Sequence, residues 1–213
     1  DRIDKKVVIV GCVPGAPDLL TIRWKGAIEE ADVVVGSKRL LSDFVQNKHC
    51  TTIVLENNYQ DIFDEVDRIK EDRKVVFLVS GDPLFHSFGE SIIERLGREN
   101  CEVIPGVSSF QYLFCKLKES WKAYSIFSLH GAKEIDIKKI FIENKRFILL
   151  LDPKHNLKFI KTKISSIPVH KYTFYVASHL SMPNEKISKI SFDNFDKLKE
   201  ESLSILIVLV HDE

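Results

Sequence analysis

Three short stretches of this chain join glycine, proline and polar side chains at points where apolar, β-branched runs stop. The first is Gly11-Cys12-Val13-Pro14-Gly15-Ala16-Pro17-Asp18, whose glycines and prolines fix a turn that a ligand can approach closely. It is not Gly-x-Gly-x-x-Gly and lacks the Lys-Ser/Thr of a phosphate-cradling loop, so phosphate binding is disfavoured. The second, Ser80-Gly81-Asp82-Pro83-Leu84-Phe85-His86, offers a bare backbone at Gly81 and carboxylate oxygens at Asp82, with Pro83 barring a continued strand. The third, Pro105-Gly106-Val107-Ser108-Ser109, pairs a turn with two hydroxyls that can cap a helix or meet a ligand's polar groups. Each also has a plain reading as a tight turn, an Asp-Pro turn or a pair of caps. His86 is read as a capping or packing residue. What singles the loops out is position, because ligands of parallel α/β sheets bind beyond the carboxyl ends of strands.

The elements that must hold these loops follow from periodicity. Val7–Val10, Val33–Val35, Thr52–Leu55, Val75–Val79 and Glu102–Ile104 read as strands. Tyr59, Ile62, Phe63, Val66 and Ile69 recur at helical spacing, and Ser37 and Ser87 stand where helices can begin. Continuous apolar strands joined by helices predict a mainly parallel sheet covered on both faces. Beyond about Lys118 the rhythm changes. Ser125–Leu129, Arg146–Leu151, Lys171–Ala177, Ile187–Ser191 and Ser204–Val210 read as five further strands with fewer intervening helices. The expectation is an N-terminal α/β domain over residues 1–117 and a mixed α/β domain over 118–213, closely packed because no Gly/Ser linker joins them.

Composition narrows the functional classes. Thirty-one basic residues balance thirty-one acidic ones, which argues against a large nucleic-acid footprint. Cys12, Cys50, Cys101 and Cys115 form no Cys-x-x-Cys pair, so structural zinc and dithiol chemistry lack support and reduced thiols are expected. No apolar run approaches the ~20 residues of a bilayer span, and no signal-peptide core is present, so a cytoplasmic protein without a membrane partner is expected. The chain starts without Met, and Asp1 is read as other than the natural start.

Taken together, the three loops resemble the tetrapyrrole (corrin/porphyrin) methylase family. The shared features are a strand and Gly-x-x-Pro-Gly loop, Asp18-Leu19-Leu20-Thr21, a helix ending in Ala31-Asp32, the Gly81-Asp82-Pro83 loop and the Pro105–Ser109 loop. Gly36-Ser37-Lys38-Arg39-Leu40-Leu41, Ser128-Leu129-His130-Gly131, and Val176–Leu180 with Pro183–Ile187 look like the branch that methylates a corrin precursor at C-5. The resemblance implies a two-domain tetrapyrrole methylase fold with S-adenosylmethionine in the cleft, a homodimer, and no metal. Matched residue by residue, Pro14 borders the cofactor, and Ser80, Gly81, Asp82 and Phe85 hold its methionine end. Ser108 and Ser109 lie on its sulfonium side, while Leu151 and Leu180 wall the adenosine. Val13 departs from the family's middle glycine, and Ser178-His179 from the branch's commoner Glu-Asn. Longer relatives add a domain for C-15 methylation and decarboxylation, so this chain is expected to perform the C-5 step alone, with any C-15 enzyme separate.

A sulfonium methyl is already electrophilic, so displacement by a ring carbon asks the protein mainly for orientation and a dry site. Corrin precursors carry rim carboxylates. Lys38, Arg39, His130 and Lys133 are the candidate partners, Arg39 foremost for its planar fork. His130 is also the candidate base for the proton lost after methylation. The competing readings are methylation at another corrin position, a nucleotide-binding oxidoreductase, and a catalytically silent binding module on this fold.

Overall fold

A computed structural model of the chain describes residues 7–13, 15–46, 49–198 and 204–210. The chain divides into two compact units, residues 1–109 and 110–213. The helix Ser109–Leu117, which the sequence reading set at the end of the first domain, groups from Phe110 onward with the second unit.

The first unit is built on five strands: β1 (Val7–Cys12), β2 (Val33–Gly36), β3 (Thr51–Val54), β4 (Val75–Ser80) and β5 (Cys101–Ile104). Every pairing is parallel, in the order β3-β2-β4-β1-β5. Because strand side chains alternate, Val10, Cys12, Val34, Val76 and Leu78 face one side. There they meet Trp24 and Ile28 of α1 (Ile22–Glu29) and Leu40, Leu41 and Phe44 of α2 (Lys38–Phe44). Ile9, Val33, Val35, Val75, Phe77 and Val79 face the other. Ile62, Phe63 and Val66 of α3 (Tyr59–Ile69) and Ile92 and Leu96 of α4 (Gly89–Leu96) cover that side. This is the doubly covered parallel sheet that unbroken apolar strands require.

Of the two serines expected to begin helices, one does so. Ser37 caps α2, its Oγ accepting from the Leu40 amide at 3.3 Å. Ser87 does not cap α4, whose N-cap is Phe88. Its hydroxyl instead donates to the Ser80 carbonyl at 3.0 Å, folding the Asp82 loop back on the end of β4.

The second unit holds α5 (Ser109–Leu117) and a sheet in the order β6-β7-β10-β8-β9, from β6 (Ser125–Ser128), β7 (Arg146–Leu150), β8 (Tyr172–Ser178), β9 (Lys186–Ile190) and β10 (Ile205–Val210). β6 and β7 are parallel, and the other pairings are antiparallel. Phe147, Leu149, Phe174, Val176, Leu206 and Val208 pack against α6 (Ile137–Glu143) and α7 (Leu157–Ile164) in an aromatic-rich core. Among the described residues no helix is long and apolar enough to cross a membrane.

Candidate functional site

Strand order explains why the three loops of the first unit meet. β4, β1 and β5 are neighbours, so the segments leaving their carboxyl ends come off side by side. The contact is backbone on backbone. A Cβ on Gly11 would stand 2.2 Å from the Gly81 carbonyl oxygen and 2.7 Å from Gly106, and one on Gly106 would stand 2.4 Å from that same oxygen. Real side chains do not fit at such distances, so Gly11 and Gly106 are required by packing. Gly81 has φ +65°, a left-handed conformation, and its amide donates to the Cys12 carbonyl at 2.6 Å.

Asp82 ties the arrangement together. Its Oδ1 accepts from the Leu84 amide at 2.9 Å and its Oδ2 from the Gly106 amide at 3.4 Å, joining the second loop to the third. Ser108 is buried, and Gly81 sits close beside its Cα and Oγ. Ser109 opens α5, and Phe85 is half-buried with its ring edge-on to His86. Pro14 lies outside the described residues.

Of the two cations on α2, Lys38 is exposed, whereas Arg39 turns back over the strand ends. Its Nη2 donates to Ser80 Oγ at 3.3 Å, and its Nη1 is 3.5 Å from Asp43, buried and without a hydrogen bond. Burial pushes the nearby Cys12 thiol up to about 12, against the opposing pull of the Arg39 charge. Cys12 is therefore a neutral packing residue and not a nucleophile.

In the second unit, His130 and Lys133 are exposed in the loop after β6, while Leu151 and Leu180 are buried at the ends of β7 and β8. The His130 amide donates to Ser128 Oγ at 3.3 Å. Two carboxylates organise these loops, Asp152 and Glu185, and the sequence alone assigns neither a role. Asp152 Oδ1 accepts from the amides of Lys154 (2.9 Å) and His155 (2.6 Å), and its Oδ2 from the Gly131 amide at 3.4 Å. Glu185 accepts from the Ser181 amide at 2.7 Å and pairs with Lys116 at 3.2 Å. A signal for Asp152 was present: Asp152-Pro153 ends a strand just as Asp82-Pro83 does.

Among the described residues no three His, Cys, Asp or Glu side chains are grouped as metal ligands. An open depression of about 760 Å³, lined by Asp32, His49, Cys50, Thr51, Asp72 and Arg73, lies at the amino ends of the first sheet's strands. That is the end opposite the glycine loops, and ligands of parallel sheets bind at the carboxyl ends.

Residues 6–195 match the family model described as Tetrapyrrole (Corrin/Porphyrin) Methylases. The chain is 32% identical to a probable cobalt-precorrin-7 C(5)-methyltransferase of Methanocaldococcus jannaschii, over 97% of each chain. It is 24% identical to the cobalt-precorrin-7 C(5)-methyltransferase of Salmonella typhimurium, over 85% of this chain and 88% of that one. The cobalamin-biosynthesis precorrin-6Y methylase of Archaeoglobus fulgidus has the same fold, with a TM-score of 0.72 and 20% identity over 98% of this chain and 100% of that one. So does a uroporphyrin-III C-methyltransferase from Thermus thermophilus complexed with S-adenosylhomocysteine, with a TM-score of 0.75 and 19% identity over 96% and 97%.

Proposed function

The chain belongs to the tetrapyrrole (corrin/porphyrin) methylases, and from that premise we propose that it transfers a methyl group from S-adenosylmethionine to C-5 of a corrin precursor of the cobalt-precorrin-7 or precorrin-6Y type. The observation carrying this reading is the backbone junction of Gly11, Gly81 and Gly106 at the carboxyl ends of three adjacent strands. Its surroundings suit the amino-acid end of the donor. Ser80, Ser108 and Ser109 bring hydroxyls, Asp82 a carboxylate, and Gly81 a backbone that carries no side chain. Asp82 already spends both oxygens on backbone amides, so its work is to shape the loops, and Gly81 and Phe85 meet the ligand over them.

When bound, S-adenosylmethionine supplies a methyl group on a positively charged sulfur, which the substrate's ring carbon displaces. The protein then contributes alignment, which is worth on the order of 7–11 kcal/mol of barrier when complete. Ser108 and Ser109 stand on the sulfonium side, and Leu151 and Leu180 wall the adenosine. Arg39, Lys38, His130 and Lys133 meet substrate carboxylates, and Arg39 Nη1 is a donor without a hydrogen bond. His130, exposed at its loop, takes the proton that leaves the methylated carbon. The protein acts as a cytoplasmic homodimer on a free small molecule. Four free cysteines are consistent with a reducing compartment.

The test is incubation with candidate precorrins and labelled methyl donor, followed by mapping of the product. Label at C-5 is expected, and label at another position overturns the regiochemistry. In parallel, S-adenosylhomocysteine at 100 times its Kd should stabilise the fold by about 2.7 kcal/mol, and NADH should not. Arg39→Ala is expected to weaken corrin binding about tenfold and S-adenosylhomocysteine binding by less than about threefold.

A further inference from the structure

The loop joining β8 to β9 holds an unfavourable shape. His179 has φ +50° and Ser181 φ +64°, both in the left-handed region that non-glycine residues avoid, and between them Leu180 is buried to 4% exposure. Each such residue carries backbone strain and persists only where its surroundings over-determine it. Local turns account for part of this, with Met182 N–H donating to the His179 carbonyl at 2.9 Å and Glu185 N–H to the Met182 carbonyl at 3.0 Å. A side chain adds to these turns. Glu185 Oε2 accepts from the amide of the left-handed Ser181 at 2.7 Å.

That carboxylate is itself anchored from α5. Lys116 Nζ is 3.2 Å from Glu185 Oε1, and the Tyr112 hydroxyl bonds the same group. Lys116 also lies 5.5 Å above the Tyr112 ring. Tyr112 and Lys116 are four residues apart on one helix face, so both reach the loop from a rigid element. Burial raises the pKa of the Glu185 carboxyl. Tyr112, the Ser181 amide and Lys116 outweigh burial and hold it below the ordinary carboxylate value, so the anion is the resident form.

We infer that Glu185 is a positioning residue for the methyl donor: held by Tyr112 and Lys116, it locks Ser181 in its left-handed conformation and so fixes Leu180 against the adenosyl group. The inference rests on the proposed role of Leu180 as an adenosine wall.

Calorimetric titration of S-adenosylhomocysteine into the full chain and its variants tests it. Glu185→Ala is expected to weaken binding about tenfold and raise KM for S-adenosylmethionine equally, with kcat at saturation within about twofold. Glycine adopts positive φ without a clamp, so Ser181→Gly added to Glu185→Ala should restore most of the affinity. A generally weakened fold would not give that rescue or that split between KM and kcat. Should Glu185→Ala fail to fold, Glu185→Gln, which retains an acceptor but not the charge facing Lys116, should lose about threefold. Unchanged affinity in the Glu185 variant that folds, alongside a weakened Leu180→Ala, overturns the clamp while leaving the cofactor reading intact. So does a double variant as weak as Glu185→Ala. Unaltered affinity in Leu180→Ala overturns the adenosine-wall role and the inference with it, and a wild-type chain blind to S-adenosylhomocysteine overturns the function.

Discussion

Asp82 in the first unit and Asp152 in the second are the same device used under different constraints. Each follows a strand of a parallel pair and precedes proline. Each accepts from the amide two residues ahead at 2.9 Å and from a glycine amide of another strand's loop at 3.4 Å, Gly106 for Asp82 and Gly131 for Asp152. The settings differ. Gly106 is wedged against Gly81 and Gly11, whereas a Cβ on Gly131 would meet nothing within 4 Å. Shape already fixes the first set of loops and the carboxylate supplements it. In the second unit carboxylates bond loop backbone where no wedge of glycines stands, Asp152 after β7 and Glu185 before β9.

The most severe way to probe this contrast is to add one methyl group to each unit. Gly11→Ala puts a Cβ 2.2 Å from the Gly81 carbonyl oxygen and 2.7 Å from the Gly106 backbone, neither of them the movable end of a side chain. The expected cost is about 3 kcal/mol or more, with loss of S-adenosylhomocysteine binding. Gly131→Ala meets open space but must hold φ +64°, at a cost of about 1–2 kcal/mol. Urea unfolding of both variants checks the order, and equal losses would break the distinction.

Removing the carboxylates should reverse the ranking of the units. Asp152 accepts from three amides and its Oδ1 and Oδ2 lie 3.0 and 3.1 Å from His155 Nδ1, whereas Asp82 accepts from two amides in loops already wedged together. Asp152→Ala should therefore cost about 2 kcal/mol and Asp82→Ala about 1 kcal/mol, read from the same unfolding curves.

This division also decides what could be read from the chain beforehand. The parallel sheet was legible because Val7–Val10, Val33–Val35 and Val75–Val79 are apolar without interruption, and only a doubly covered strand tolerates that. The Gly11, Gly81 and Gly106 loops were legible through position, since each follows an apolar strand of the parallel sheet, although each alone also reads as a plain turn. Glu185 was not, since an acidic residue in a polar loop is ordinarily solvated and nothing local reveals that Tyr112 or Lys116 reaches it; Asp152 carried the Asp-Pro signal, but nothing local points to Gly131 as its partner. Ser87 misled for a related reason: a hydroxyl before a helix usually caps it, but here the Ser80 carbonyl lies closer to hand. Left-handed φ at His179 and Ser181 had no composition signal, because glycine is the usual marker and neither is glycine.

The smallest expected effect is the acid response of Asp152. Burial raises the pKa of this carboxyl, but the amide and ring of His155 and the Gly131 amide outweigh it and leave the value below 3.8. A group whose pKa is depressed by folding binds protons more readily when unfolded, so it contributes stability above its unfolded value and loses it as pH falls through the folded one. For Asp152 that contribution is whole at neutral pH and fades below 3.8. Asp152→Asn keeps the shape and one acceptor oxygen but has no charge to lose. Wild type should therefore be the more stable protein at pH about 6, by less than about 1 kcal/mol, and the gap should shrink as pH falls below 3.8. A gap constant across that range would mean that shape, not charge, holds the Gly131 loop, and the two units would then share one mechanism after all.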